Sequence, residues 1–217
     1  MRGGRRLGGK RLTVVLAVSA RSVVALAGCA TQKAGSAAVA GDERLTESQL
    51  TDLFAELDGL YEENPESQRL PDDQLTLSVL SWWINEQLIG AIAEEEGLTA
   101  TQSQIDEVLG AEQEQRDAIS LGNGIPPSRL DAAAEVFVLS SALTESLAQP
   151  GATPEDTDAA LVARLQETAD ALGISVSPRF GTWNADTVSV EPRNPERLSS
   201  PAGGIADPLP LDIPGQG

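Results

Sequence analysis

Histidine is absent from all 217 residues, and a single cysteine, Cys29, stands beside 33 carboxylates. Without an imidazole the chain lacks the commonest general base and the commonest metal ligand. One cysteine makes neither an internal disulfide nor a thiolate zinc site. Serines are plentiful, yet there is no Gly-x-Ser-x-Gly elbow and no histidine to activate one. Gly-rich phosphate loops are absent as well. Asp72-Asp73 and Glu94-Glu95-Glu96 offer the oxygens a hard cation needs, but not the alternating carboxylate and glycine spacing of a calcium loop. Solvated helix ends explain them better: Asp72-Asp73 stand at a helix start, where acids complement the dipole, and Glu94-Glu95-Glu96 at an exposed helix end. These residues lead away from catalysis, cofactors and metals, and leave the Cys29 thiol as the distinctive reactive group.

The surroundings of that thiol say what it is for. Arg2, Arg5, Arg6, Lys10 and Arg11 precede an apolar stretch over residues 12–27, the order of a secretory signal. The stretch ends in Leu26-Ala27-Gly28-Cys29, which resembles the lipobox of bacterial lipoproteins. That resemblance implies cleavage before Cys29, acylation of its thiol with diacylglycerol, and anchoring at the outer face of the cell membrane. The competing assignment is a transmembrane anchor with an incidental cysteine. Arg21 breaks the apolar run, and fewer than about 18 uninterrupted apolar residues argue against a span. Arg5-Arg6 leaves general secretory and twin-arginine export both open. Cleavage removes six of the fifteen basic residues and none of the 33 acids, so the net charge moves from −18 to −24.

Elements must be built around this. Aromatics make up 3% of the chain and hydrophobic residues 41%, so the core consists of Leu, Val, Ile and Ala, which favours helices over a sheet sandwich. The length fits one domain with tails. Strong negative charge repels phosphate backbones, so nucleic acid is excluded as a partner. The expected organisation is a signal peptide over 1–28, a tether over 29–36, a helical domain over 37–192 and a disordered Pro/Gly-rich tail over 193–217.

Within 37–192 the spacing predicts a short strand over residues 37–40, stopped at Gly41-Asp42, and then five helices. Thr46 with Gln49 forms a capping box before a face of Leu50, Leu53, Phe54, Leu57, Leu60 and Tyr61. Pro71-Asp72-Asp73 opens a second helix, apolar on several faces and therefore central, which Gly97 closes. Thr101 with Gln104 caps a third helix, half exposed, continuing through Gln113 and Arg116. A fourth runs from Ser128 with Leu130, Ala133, Phe137, Leu139, Leu143 and Leu147 buried. Residues 153–156 cap a fifth, which Gly173 closes. The period then changes: residues 174–177 and 188–190 alternate as strands do, and read as a hairpin around a loop at 178–184.

The aromatic residues are the candidates for binding polypeptide. Trp82, Trp83 and Phe137 have the type to line a groove for apolar segments, but helical spacing places them more simply in the core. Phe180 and Trp183 lie in the late loop, where residues 179–183 offer a docking edge.

The order of three segments adds a resemblance. Residues 38–50, the stretch Glu94-Glu95-Glu96-Gly97-Leu98-Thr99-Ala100-Thr101-Gln102-Ser103-Gln104-Ile105, and Ile174-Ser175-Val176-Ser177-Pro178-Arg179-Phe180-Gly181-Thr182-Trp183 resemble the helical N-terminal domain of SurA/PrsA-type extracytoplasmic chaperone foldases, most of all their actinobacterial lipoprotein versions. The resemblance covers roughly residues 37–192. It implies a mainly α fold of five helices with a small hairpin or short sheet near the C-terminal end, in which the strand near residues 38–40 pairs with a late strand around Val176 or Val190. The parvulin isomerase domain of those foldases has no counterpart here. The expectation is a membrane-anchored lipoprotein that binds exported polypeptides in chaperone-like fashion without enzymatic activity. The alternative is an accessory or scaffold lipoprotein docking one envelope partner through residues 179–183 or the tail.

Overall fold

The computed structural model describes residues 35–193. The expected signal segment 1–28, Cys29, nearly all of the expected tether and the expected tail beyond residue 193 lie outside the described residues. The chain is mainly helical, with short antiparallel strands at the beginning and end of the described part.

Strand β1 (Ser36–Ala40) begins one residue before the expected boundary, so Ser36 belongs to the sheet and not to the tether. Gly41, with φ +61, and Asp42 turn the chain directly into β2 (Glu43–Thr46), setting Ala40 opposite Glu43 and Ala38 opposite Leu45. A positive φ at the first of two turn residues suits a tight hairpin. Strand β3 (Ser175–Val176) pairs with the other edge of β1, Ala38 opposite Val176. The expected pairing of the N-terminal strand with a late one is therefore present, and β1 is the middle strand of three.

Capping chemistry sets the helix starts. Thr46 and Gln49 close a reciprocal box at α1 (Glu47–Glu63), with the Gln49 N–H donating to Thr46 Oγ1 at 3.1 Å and the Thr46 N–H to Gln49 Oε1 at 2.8 Å. Helix α2 (Asp72–Glu96) ends at Gly97 in the left-handed conformation. Thr101 and Gln104 cap α3 (Gln102–Leu109).

The third expected helix is two helices. Gly110, with φ +76, ends α3, and α4 (Gln113–Asn123) follows. A Cβ at Gly110 would meet only the end of the Gln115 side chain, which can swing aside, so it is the positive φ that calls for glycine at this turn. The fourth expected helix opens as a 3-10 turn at Pro127–Arg129 and continues as α5 (Leu130–Leu147). Helix α6 (Pro154–Leu172) carries the Thr153–Asp156 box and stops at left-handed Gly173. The α-helices therefore number six among the described residues.

The late hairpin also differs in its partners. Strand β5 (Ser189–Glu191) pairs with β4 (Thr182–Asn184), a segment expected to be loop, while β3 is taken by β1. Asn184 Oδ1 accepts the N–H groups of Asp186 and Thr187 at 3.0 and 3.3 Å, which builds the turn between β4 and β5.

Three apolar groupings fill the interior. The first joins α1 (Leu50, Leu57, Leu60), the front of α2 (Leu80, Ile84, Leu88) and the strands (Ala37, Val176, Val190). The second joins the end of α2 (Ile89, Ile92) to Val136, Leu139 and Leu143 of α5. The third joins Ile105 and Leu109 of α3 to Leu130, Ala133 and Ala134 of α5, with Trp82 of α2 against it. Helix α2 touches all three, which accounts for its apolar coverage on several faces.

Candidate functional site

Cys29, the candidate lipid-attachment residue, falls outside the described residues. The five aromatic candidates do not converge. Trp82 packs on the third apolar grouping and Trp83 on the first, both half-buried. The cavity that both indoles line measures about 20 Å³, room for a single water and not for a peptide side chain. Beside it Glu86 of α2 pairs with Arg129. The Trp82 indole N–H donates to the Asn123 carbonyl at 3.4 Å, joined by the Ser78 hydroxyl at 2.7 Å. These residues tie α4 to α2.

Phe137 corrects the expectation most clearly. Placed in the core by its spacing, it is 60% exposed on α5. Helix α5 changes the face it buries along its length: Leu130, Ala133 and Ala134 turn toward α3, whereas Val136, Leu139 and Leu143 turn toward α2. Phe137 continues the face of Ala133 and Ala134 one turn further along α5, past the last α5 residue of the grouping that α3 shares, so nothing covers it there. Val162 of α6, 43% exposed, is the other large apolar residue so placed among the described residues.

Phe180 and Trp183 are half-buried against the first apolar grouping. Arg179 lies over the Phe180 ring at 5.6 Å and pairs with Glu47 at 2.7 Å, which fastens the segment after β3 to the start of α1. An open groove of about 380 Å³ lies beside Phe180, walled by Asp72 and Asp73 on one side and Arg179 and Arg193 on the other. A second groove, of about 250 Å³, runs between α2 and α5 past Gly90, Glu135 and Val136.

Charge is distributed unevenly. Arg164, three-quarters or more shielded, bridges α6 to the end of α2 through Glu95 at 2.6 Å and Glu96 at 3.2 Å; those bonds raise its pKa and keep it cationic. Arg69 holds Asp58 and Asp72 in the same way and is likewise raised. The Asp156 carboxyl is pulled below its ordinary value by the Thr153 backbone N–H and hydroxyl. Among the described residues no group of three or more Cys, Asp or Glu side chains is placed to hold a metal ion, and no helix is long and apolar enough to cross a membrane.

No family model, curated protein or solved structure matches this chain. Two residues of surface interest escaped the sequence argument. Gly90 had a visible signal, a lone glycine inside a helical apolar pattern. Glu135 had none, since its interest comes only from the helix opposite.

Proposed function

We propose that this chain is an extracytoplasmic lipoprotein, anchored through acylated Cys29, that binds polypeptide and performs no catalysis. The signal-like start, the Leu26-Ala27-Gly28-Cys29 sequence, the absence of histidine and the resemblance to the helical part of SurA/PrsA-type foldases support it. The observation that carries it is Phe137, an aromatic ring 60% exposed on an otherwise well-packed helix.

A chaperone that holds many unfolded clients needs a contiguous apolar patch of several hundred Å². Phe137 and Val162 are the exposed large apolar residues among those described, which favours the alternative, a protein docking one envelope partner through a confined contact. The test is photocrosslinking in cells from a reactive side chain at position 137. One recurrent exported or envelope protein is expected. Many unrelated products would restore the chaperone, and none at all would remove the binding role. Phe137→Ala should lower crosslinking from a neighbouring probe while changing stability by less than about 0.5 kcal/mol, as exposed positions do. Cys29→Ala should release the protein from the membrane fraction.

A further inference from the structure

Gly90 sits inside α2, and a Cβ built on it would meet no atom within 4 Å. Glycine weakens a helix interior, and it is explained where φ is positive, where neighbours crowd the site, or where another group approaches the backbone. Its φ is not positive and its surroundings are open, so the first two explanations fail. Gly59 in α1 and Gly122 in α4 are equally unencumbered. Gly90 is set apart by facing the groove between α2 and α5, whose other wall carries Ala132 and Glu135.

The floor of that groove is Val136 and Leu139, only 9% and 6% exposed, so an apolar segment would find little surface to bury there. The rim is negative. Glu86 already pairs with Arg129, but Glu135 is exposed and in no ion pair among the described residues. Bare backbone, a facing alanine and an unpaired carboxylate suit a side chain with a long aliphatic stem and a cationic head. A second copy of the chain, with net charge −18, would meet its own repulsion.

We infer that the groove between α2 and α5 docks a basic segment of the polypeptide partner, with a lysine or arginine stem laid over Gly90 and Ala132 and its charge against Glu135. This rests on the polypeptide-binding function proposed above and specifies the chemistry of the partner.

The test is an anisotropy titration of a fluorescein-labelled Arg/Leu/Ser peptide against the purified full chain. Gly90→Leu, which fills the groove without changing charge, is expected to weaken binding about tenfold. Glu135→Gln should weaken it about threefold, while Glu145→Gln, which removes an equal charge from α5 outside the groove, changes it little. Gly59→Ala, which also removes a helix glycine, should leave the affinity unchanged. Equal losses from Glu135→Gln and Glu145→Gln with no effect of Gly90→Leu would mean diffuse attraction to an acidic surface and overturn the inference. Failure of the peptide to bind would do the same, and so would displacement of the peptide by spermine at equal concentration. If crosslinks from position 137 are found but Gly90→Leu leaves the peptide affinity unchanged, only the groove assignment falls. If crosslinks are absent from the unmodified protein, the binding function itself falls.

Discussion

The Tyr61 hydroxyl, at the end of α1, donates to the Leu121 carbonyl of α4 at 3.0 Å, although sixty residues separate them. Leu121 belongs to the last turn of α4, where carbonyls have no partner within the helix. The Asn123 carbonyl is taken by Ser78 and Trp82. A helix poor in apolar residues is thus held by the polar groups that its own C-terminus leaves over.

Tyr61→Phe should therefore destabilise the fold by about 1–2 kcal/mol, since it keeps the ring and strands a buried carbonyl. Urea unfolding should show a lower midpoint with an unchanged slope. A change within error would mean that the hydroxyl contributes nothing to holding α4.

Gly90→Ala and Gly59→Ala should each raise stability by about 0.5–1 kcal/mol, because both positions are helical and a new Cβ meets open space. Thermal melts of the single variants and of the pair check this, and the two gains should add, since the residues lie in different helices.

Acid should loosen the start of α6. Asp156 titrates below its ordinary 3.8 in the folded chain, held down by the Thr153 N–H and hydroxyl. Its stabilising contribution is fully present above the unfolded value and disappears as pH falls through the lower folded value. Tm measured across this acid range should fall more steeply for the native sequence than for Asp156→Asn, whose side chain does not titrate. Parallel curves would refute the linkage.

Val188 carries φ 50, an unusual conformation for a β-branched residue, in the turn between β4 and β5. It is also half-buried against the first apolar grouping. Val188→Gly relieves backbone strain and forfeits packing, so its net effect should stay below about 1 kcal/mol. Val190→Ala, two residues on and buried, should cost about 2 kcal/mol. Denaturation of the two variants side by side separates these contributions.

Features written in neighbouring residues were legible from the sequence. Thr46 with Gln49, Thr101 with Gln104, and the stops at Gly97 and Gly173 lie where their local chemistry puts them, because a cap needs only three or four adjacent positions. Features decided by a distant partner were not. Residues 182–184 are too few to display an alternation, and their strand exists because Val190 lies opposite Trp183. Phe137 follows a periodicity that assumes one buried face along the whole of α5, whereas the helix exchanges α3 for α2 as its neighbour midway. The same limit applies to the surfaces: Gly90 was visible as a helix glycine, but the acidic groove around it needs two helices side by side.

The place of β1 in the middle of its sheet has a consequence for synthesis. β1 is the first described strand to leave the ribosome, yet its second partner follows only after about 140 further residues. Until then the Ala38 edge stays unpaired, and Gly41 lacks the Leu172 carbonyl that accepts its N–H at 2.7 Å. Helices α1 to α5 are closed by nearer contacts and have time to assemble during that interval. A chain interrupted anywhere before residue 175 therefore leaves the middle strand itself, rather than β3, as the edge of the sheet, with a longer row of unpaired backbone groups open to misplaced pairing.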